Sequence, residues 1–131
     1  MRRFHHPITS FMMVLLLLFL VAGCGGNFTR DTYRGLAVSF NGYDMVMQGM
    51  ADLYSQKLVG EDVRQQTVKY GRAYKLAHNG VVEALAVYEE KGGQQNKDAV
   101  TAAATKASEA LAELIKYTKP YLLKAGKEVP K

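Results

Sequence analysis

The chain carries a single cysteine, Cys24, in 131 residues. No internal disulfide can form, so the fold must be held by packing even in a compartment that would permit a bridge. The same count excludes haem attachment through C-x-x-C-H. Histidine is scarce beyond His5 and His6, with only His78 in the body of the chain. One histidine without clustered cysteines or carboxylates does not make a zinc or iron site. The glycine doublets Gly25-Gly26 and Gly92-Gly93 sit where a tether and a turn are expected, not in a phosphate-cradling loop. Ser39, Ser55 and Ser108 lack the context of a nucleophile elbow. Strand alternation and long structureless loops are also missing. The residues carry no catalytic signature, and the chain reads as a non-enzyme.

The beginning of the chain is the most informative part. Arg2 and Arg3 precede an apolar run from Phe11 to Leu20, and Val21-Ala22-Gly23-Cys24 follows. A basic start, a short apolar core and small residues before a cut site describe a secretory signal peptide. The run is about half the roughly twenty residues that a membrane-spanning helix needs. The residues around Arg2-Arg3 do not match a twin-arginine signal. Val21-Ala22-Gly23-Cys24 resembles the lipobox of bacterial lipoproteins. The resemblance implies cleavage by signal peptidase II before Cys24, a diacylglyceryl group on its sulfur, and acylation of its new amino group. It places the protein in the bacterial envelope, anchored to a membrane by lipid such as palmitate. In the sorting rule of enteric bacteria an aspartate after the cysteine retains a lipoprotein in the inner membrane; Gly25 stands there instead. The expected location is therefore the outer membrane, facing the periplasm.

Four segments follow from this reading: a signal peptide over 1–23, a lipidated tether over 24–30, a bundle over 31–122 and a basic tail over 123–131. The formal charge of +5 falls to +3 once Arg2 and Arg3 leave. The excess gathers at the end, where Lys116, Lys119, Lys124, Lys127 and Lys131 face only Glu128. An exported protein meets little nucleic acid, so such a tail points to anionic lipid, acidic wall groups or an acidic protein. The residues set no oligomeric state.

Apolar residues recur at helical spacing through the mature chain. The first helix is expected to open near Thr29 or Asp31, both good N-caps, and to run to about Leu58. Its inward stripe reads Tyr33, Leu36, Ala37, Phe40, Tyr43, Met47, Met50, Ala51, Tyr54 and Leu58. A turn at Val59-Gly60 leads to a second helix with Val63, Thr67, Tyr70, Tyr74, Ala77, Val81, Leu85 and Tyr88 inward. Gly92-Gly93 ends it, and Gln95 or Asn96 starts a third with Val100, Ala104, Ala107, Leu111, Leu114, Thr118 and Tyr121 inward. Pro120 lacks a backbone donor and is expected to kink or stop that helix, leaving Ala125 to Lys131 frayed. The fold class is all-α, an antiparallel up-down-up three-helix bundle. Thirty-residue helices of roughly 45 Å make it a rod. A tether of about 20 Å at most fixes which end is free. Tyr54, Tyr117, Lys119, Tyr121, Lys124 and Lys127, with Tyr70, fall at that free end and form the candidate partner surface.

Other candidates read as structural. Met45, Met47 and Met50 form M-x-M-x-x-M, and thioethers suit Cu(I), but only Met47 and Met50 share a helix face. There they fill the core, level with Tyr70 and Ala73. No metal and no cofactor beyond the lipid on Cys24 is expected. His78 reads as a hydrogen-bonded boundary residue, and Asp44 as an ion-pair partner of Lys75. Glu109 and Glu113, one turn apart with Lys106 and Lys116 beside them, read as a solvated charged face.

The function expected is a non-enzymatic interaction or structural accessory in the envelope. Two alternatives stand beside it. The chain is similar to the murein lipoprotein in its lipidated cysteine and helical body, which implies a covalent link from Lys131 to peptidoglycan; the folded-back helices and Pro130 depart from that pattern. A small apolar ligand could instead sit between helices along the Ala77, Ala104 and Ala107 seam, or copper at Met47 and Met50. Membrane perturbation would need an exposed apolar face that the body lacks. The run Tyr74 to Asn79, Y-x-x-A-H-N, resembles small helical lipoproteins of proteobacteria, and that likeness implies no particular function.

Overall fold

The structure is a computed structural model and describes residues 27–131. The expectations for residues 1–26, Cys24 among them, lie outside the described residues. Three helices follow one another: α1 (Phe28–Ser55), α2 (Glu61–Lys91) and α3 (Gln94–Lys124). They form an all-α three-helix bundle, as the periodicity predicts. No described helix is long and apolar enough to cross a membrane.

The Asn27 carbonyl accepts the Asp31 amide at 2.9 Å, so α1 opens before the expected caps and takes in Phe28, Thr29 and Arg30 from the expected tether. Phe28–Gly35 belongs to one compact unit and Leu36–Lys131 to another. In the first, Thr32 Oγ1 donates to the Phe28 carbonyl at 2.8 Å.

The larger unit holds the core. The two long helices α2 and α3 are joined by only two glycines, Gly92 and Gly93, both at positive φ, which makes them antiparallel neighbours. Their backbones approach closely along a shared seam, whereas α1 comes within 8 Å of either, Cα to Cα, at no more than isolated positions. Side-chain size explains the difference. Ala104 and Ala107 are buried on α3, while α1 brings the larger Tyr43, Val46, Met50 and Leu53 to the core. One cluster joins Val46, Met50 and Leu53 to Val63, Tyr74, Leu111, Leu114 and Leu122, with Tyr70, Tyr117, Tyr121 and Val129 packed on it.

The inward faces of α2 and α3 match the expected ones closely. On α3 every expected residue from Val100 to Thr118 is buried, with Leu122 taking the place of half-buried Tyr121. On α1 the face is rotated. Val46 and Leu53, absent from the expected stripe, are 0% and 1% exposed, while Tyr33, Ala37, Phe40, Ala51 and Tyr54 are exposed, as is Leu58, which lies past the helix end at Ser55. Leu36, Ser39, Tyr43, Val46, Met50 and Leu53 alternate in steps of three and four, which is a coiled-coil seam. The expected stripe follows the aromatic residues, but tyrosine and phenylalanine also serve at the margins of a seam.

The polar groups in the interior are satisfied locally. Buried Thr67 and Thr118 return their hydroxyls to the carbonyls of Val63 and Leu114, each at 2.8 Å. Tyr74, fully buried, shares a 2.8 Å hydrogen bond with Ser39 and stacks on Tyr43 at 4.9 Å. No buried side-chain nitrogen or oxygen among the described residues lacks a partner.

Pro120 does not stop α3, which continues to Lys124. Lys116, whose carbonyl loses its donor, and Pro120 itself are both exposed, so water can solvate the freed group. On the opposite side, fully buried Leu122 holds the next turn in the core. The tail is likewise not frayed. Gly126, at φ 69°, donates to Leu123 O at 3.0 Å, and Lys127 N donates to Leu122 O at 2.9 Å, which is a Schellman cap. The chain then runs back along α1. Lys127 Nζ lies 3.0 Å from Asp52 Oδ2, Val129 packs on the core, and the Pro130 ring sits 3.6 Å from where a Cβ on Gly42 would stand. The expected basic tail is thus a strap that turns back over α1.

The end of α1 has the same cap as α3. Lys57 N donates to Tyr54 O and Leu58 N to Leu53 O, with Lys57 itself at φ 59°. A lysine in that left-handed position costs about 1 kcal/mol that glycine avoids. Lys57→Gly should therefore stabilise the fold by about 0.5–1 kcal/mol, and Gly126→Ala should destabilise it by about 1 kcal/mol. Urea unfolding checks both: the midpoints move in opposite directions at unchanged m.

Candidate functional site

The expected partner surface lies where α1 turns into α2 and α3 ends. Its residues divide into two groups. Tyr70, Tyr117 and Tyr121 form a ladder across α2 and α3, with ring centroids 5.2 Å and 5.9 Å apart and planes tilted at 35° and 54°. All three are half-buried. Burial, then the neighbouring Tyr121 hydroxyl, holds the Tyr117 phenol above its ordinary pKa, so it stays a neutral hydrogen-bonding group. Lys119 and Lys124 are exposed on α3 beside this ladder.

Tyr54 and Lys127 are committed elsewhere. Tyr54 donates its hydroxyl to Glu61 Oε2 at 2.8 Å, and the Arg64 guanidinium stands 5.3 Å over its ring. Arg64 also forks onto Glu61, Nε to Oε2 at 2.9 Å and Nη2 to Oε1 at 2.7 Å. Those bonds, Arg64's first and Tyr54's second, pull the Glu61 carboxyl down to about 2. The trio ties the end of α1 to the first turn of α2. Lys127 is spent on Asp52 within the strap.

The remaining sequence candidates find structural places. Met50 is 3% exposed and Met45 44%. Met47 packs on Gly71, between the expected levels of Tyr70 and Ala73, its sulfur 3.0 Å from where a Cβ there would lie. A side chain at position 71 would crowd Met47, which would have to give by a few tenths of an ångström, and would touch Tyr43. His78 lies between the rings of Phe40 and Tyr74, 5.6 Å and 5.8 Å away, and makes no hydrogen bond to another described residue. Asp44 pairs with Gln48 one turn on, Nε2 to Oδ2 at 2.6 Å, and not with Lys75. A partner on its own helix needs less ordering than one across the bundle. Glu109 and Glu113 are exposed, as are Lys106 and Lys116. No group of three or more histidine, cysteine or carboxylate side chains able to hold a metal occurs among the described residues.

A second charged surface lies outside the expected one. Between Val63 and Val82 the chain has no acid, while Arg64, Lys69, Arg72 and Lys75 lie there, all exposed. An open hollow on this outer face of α2 is lined by Arg64, Gln65, Val68, Lys69 and Arg72. Its signal is the balance of charge within one helix, which the excess at the chain's end obscures.

No family model matches the chain, and no curated protein or solved structure matches it either.

The Tyr54–Glu61–Arg64 trio has a definite pH signature. Glu61 titrates near its ordinary value of 4.5 when unfolded and near 2 when folded. A depressed carboxylate stabilises fully above its unfolded pKa and stops doing so as pH falls through its folded one. The melting temperature of the wild type should exceed that of Glu61→Gln at neutral pH. The gap should narrow below about pH 4.5 and close near pH 2. It will be small, since these groups are exposed.

Proposed function

We propose that this chain is a lipid-anchored helical protein of the bacterial envelope, held at the outer membrane through Cys24 and facing the periplasm. It acts as a non-enzymatic interaction or structural accessory. One observation carries the reading: the chain's single cysteine stands directly behind a signal-like apolar core and the small residues Val21-Ala22-Gly23. Two or more acyl chains on that residue give stable anchoring, because burial of each CH₂ adds about 0.8 kcal/mol. The bundle is the cargo that the anchor holds.

The partner surface in this reading is the tyrosine ladder with Lys119 and Lys124. Half-buried rings offer rigid contact area at low entropic cost, and the lysines favour an acidic partner. The return of the strap along α1 leaves the wall-link alternative weaker, since a bond through Lys131 would start from a folded-back segment.

The anchor is tested by Cys24→Ala. Radiolabelled palmitate should no longer enter the protein, and an uncleaved precursor should accumulate; a processed, membrane-bound variant would overturn the assignment. The partner surface is tested separately with Lys119→Glu/Lys124→Glu, sparing Lys127 so that the strap stays closed. Quantitative co-purification of envelope proteins should show one acidic partner depleted from the variant. An identical partner profile would remove the docking surface from the proposal.

A further inference from the structure

The basic outer face of α2 is not used by the fold. Lys69, Arg72 and Lys75 are exposed and make no ion pair with any described residue. Arg64, at the head of the same face, is partly neutralised by Glu61. Helical geometry spreads Lys69, Arg72 and Lys75 over about 120° of the outer surface. Leu76 lies inside that arc and is 76% exposed, with half-buried Val68 a little more than two turns before it. The face ends where acids begin, at Glu83, Glu89 and Glu90. It therefore combines concentrated positive charge with one projecting aliphatic side chain.

We infer that this face of α2 rests on the anionic headgroup layer of the bilayer that holds the anchor. The inference builds on the lipid-anchor reading and adds a second point of contact to it. Each lysine or arginine near an anionic surface contributes modestly, about fivefold in partitioning, and the attraction is lost within a Debye length. Such weak attraction is enough once a lipid already confines the body to the surface, because the local concentration is then high. An acidic protein would pair with the cations but would have no particular use for a lone exposed leucine. A headgroup layer accommodates both, the cations among phosphates and the aliphatic chain at the acyl boundary. Seated this way the bundle lies along the membrane, with the tyrosine ladder at its side.

The chain has no tryptophan, so an introduced indole reports alone. Leu76→Trp and, on the outer face of α1, Val38→Trp (Val38 is 72% exposed) should both leave the core intact. The full-length proteins, purified in detergent from bacterial membranes, are reconstituted into neutral phosphatidylcholine vesicles and into vesicles about one-third phosphatidylglycerol. The expected result for Leu76→Trp is a blue-shifted indole emission, quenched by brominated lipid, in the anionic vesicles only. High salt and the triple change Lys69→Glu/Arg72→Glu/Lys75→Glu should each abolish it. Val38→Trp should not respond. An unshifted Leu76→Trp spectrum in anionic vesicles, or an equal shift at position 38, overturns the inference. Failure of the anchor itself is visible separately: the intact mass would lack the acyl groups and the protein would not float with neutral vesicles.

Discussion

The close approach of α2 and α3 is the constraint on which the rest of this fold depends. It is favoured by small residues buried on α3, Ala104 and Ala107. Two glycines join the helices, so their register is set almost without slack. Only against this pair does the seam of α1 find a surface with matching depth. Tyr43, Met47, Met50 and Leu53 reach across a wider gap, and Gly71 leaves the space that Met47 and Tyr43 occupy. Without an internal disulfide, the helices are held chiefly by such burial.

The contacts between helices differ along the interior. Towards the α1–α2 turn Val46, Met50, Leu53, Val63, Leu114 and Leu122 meet, with Tyr70, Tyr117 and Tyr121 packed on them. Further along, α1 and α2 are joined by rings, with Phe40, Tyr43, Tyr74 and His78 in mutual contact. Ser39 closes this second zone by satisfying the Tyr74 hydroxyl. A buried tyrosine without that partner would carry an unmet hydrogen bond, costing about 1–3 kcal/mol. Ser39, the one polar position in the α1 seam, thus fixes which residue of α2 lies opposite.

Much of this fold is legible in the amino-acid pattern alone, and the places where it is not have physical reasons. On α3 the aliphatic and alanine pattern is clean, and its buried face can be read almost residue by residue. On α1 tyrosines and phenylalanine stand on both sides of the true seam, so a stripe drawn through them passes over Val46 and Leu53. Pro120 signals a local break, yet the decisive factor is Leu122, whose burial depends on α1. The strap is hidden for the same reason: its Lys127 contact is with Asp52, 75 positions away. Candidate site residues fare according to their neighbours. Tyr117 and Tyr121 are one turn apart on α3 and can be grouped from spacing. Tyr54 is claimed by Glu61 and Arg64, a trio that helix numbering alone does not bring together.

The distribution of charge separates the inside work of this protein from whatever it does outside. Glu61 and Asp52 are used to close the turn and the strap, each by one cation. Lys69, Arg72, Lys75, Lys119 and Lys124 form no ion pair among the described residues, and their mutual repulsion opposes folding. A bundle that needed only solubility could have interspersed acids among them, as its last turns of α2 do with Glu83, Glu89 and Glu90. The cations instead line the outer side of α2 and the end of α3, while Asp52 and Glu61 flank the turn between α1 and α2. In the proposed reading, attraction to a negatively charged surface would offset that repulsion, and a lipid on Cys24 would bring one such surface within reach.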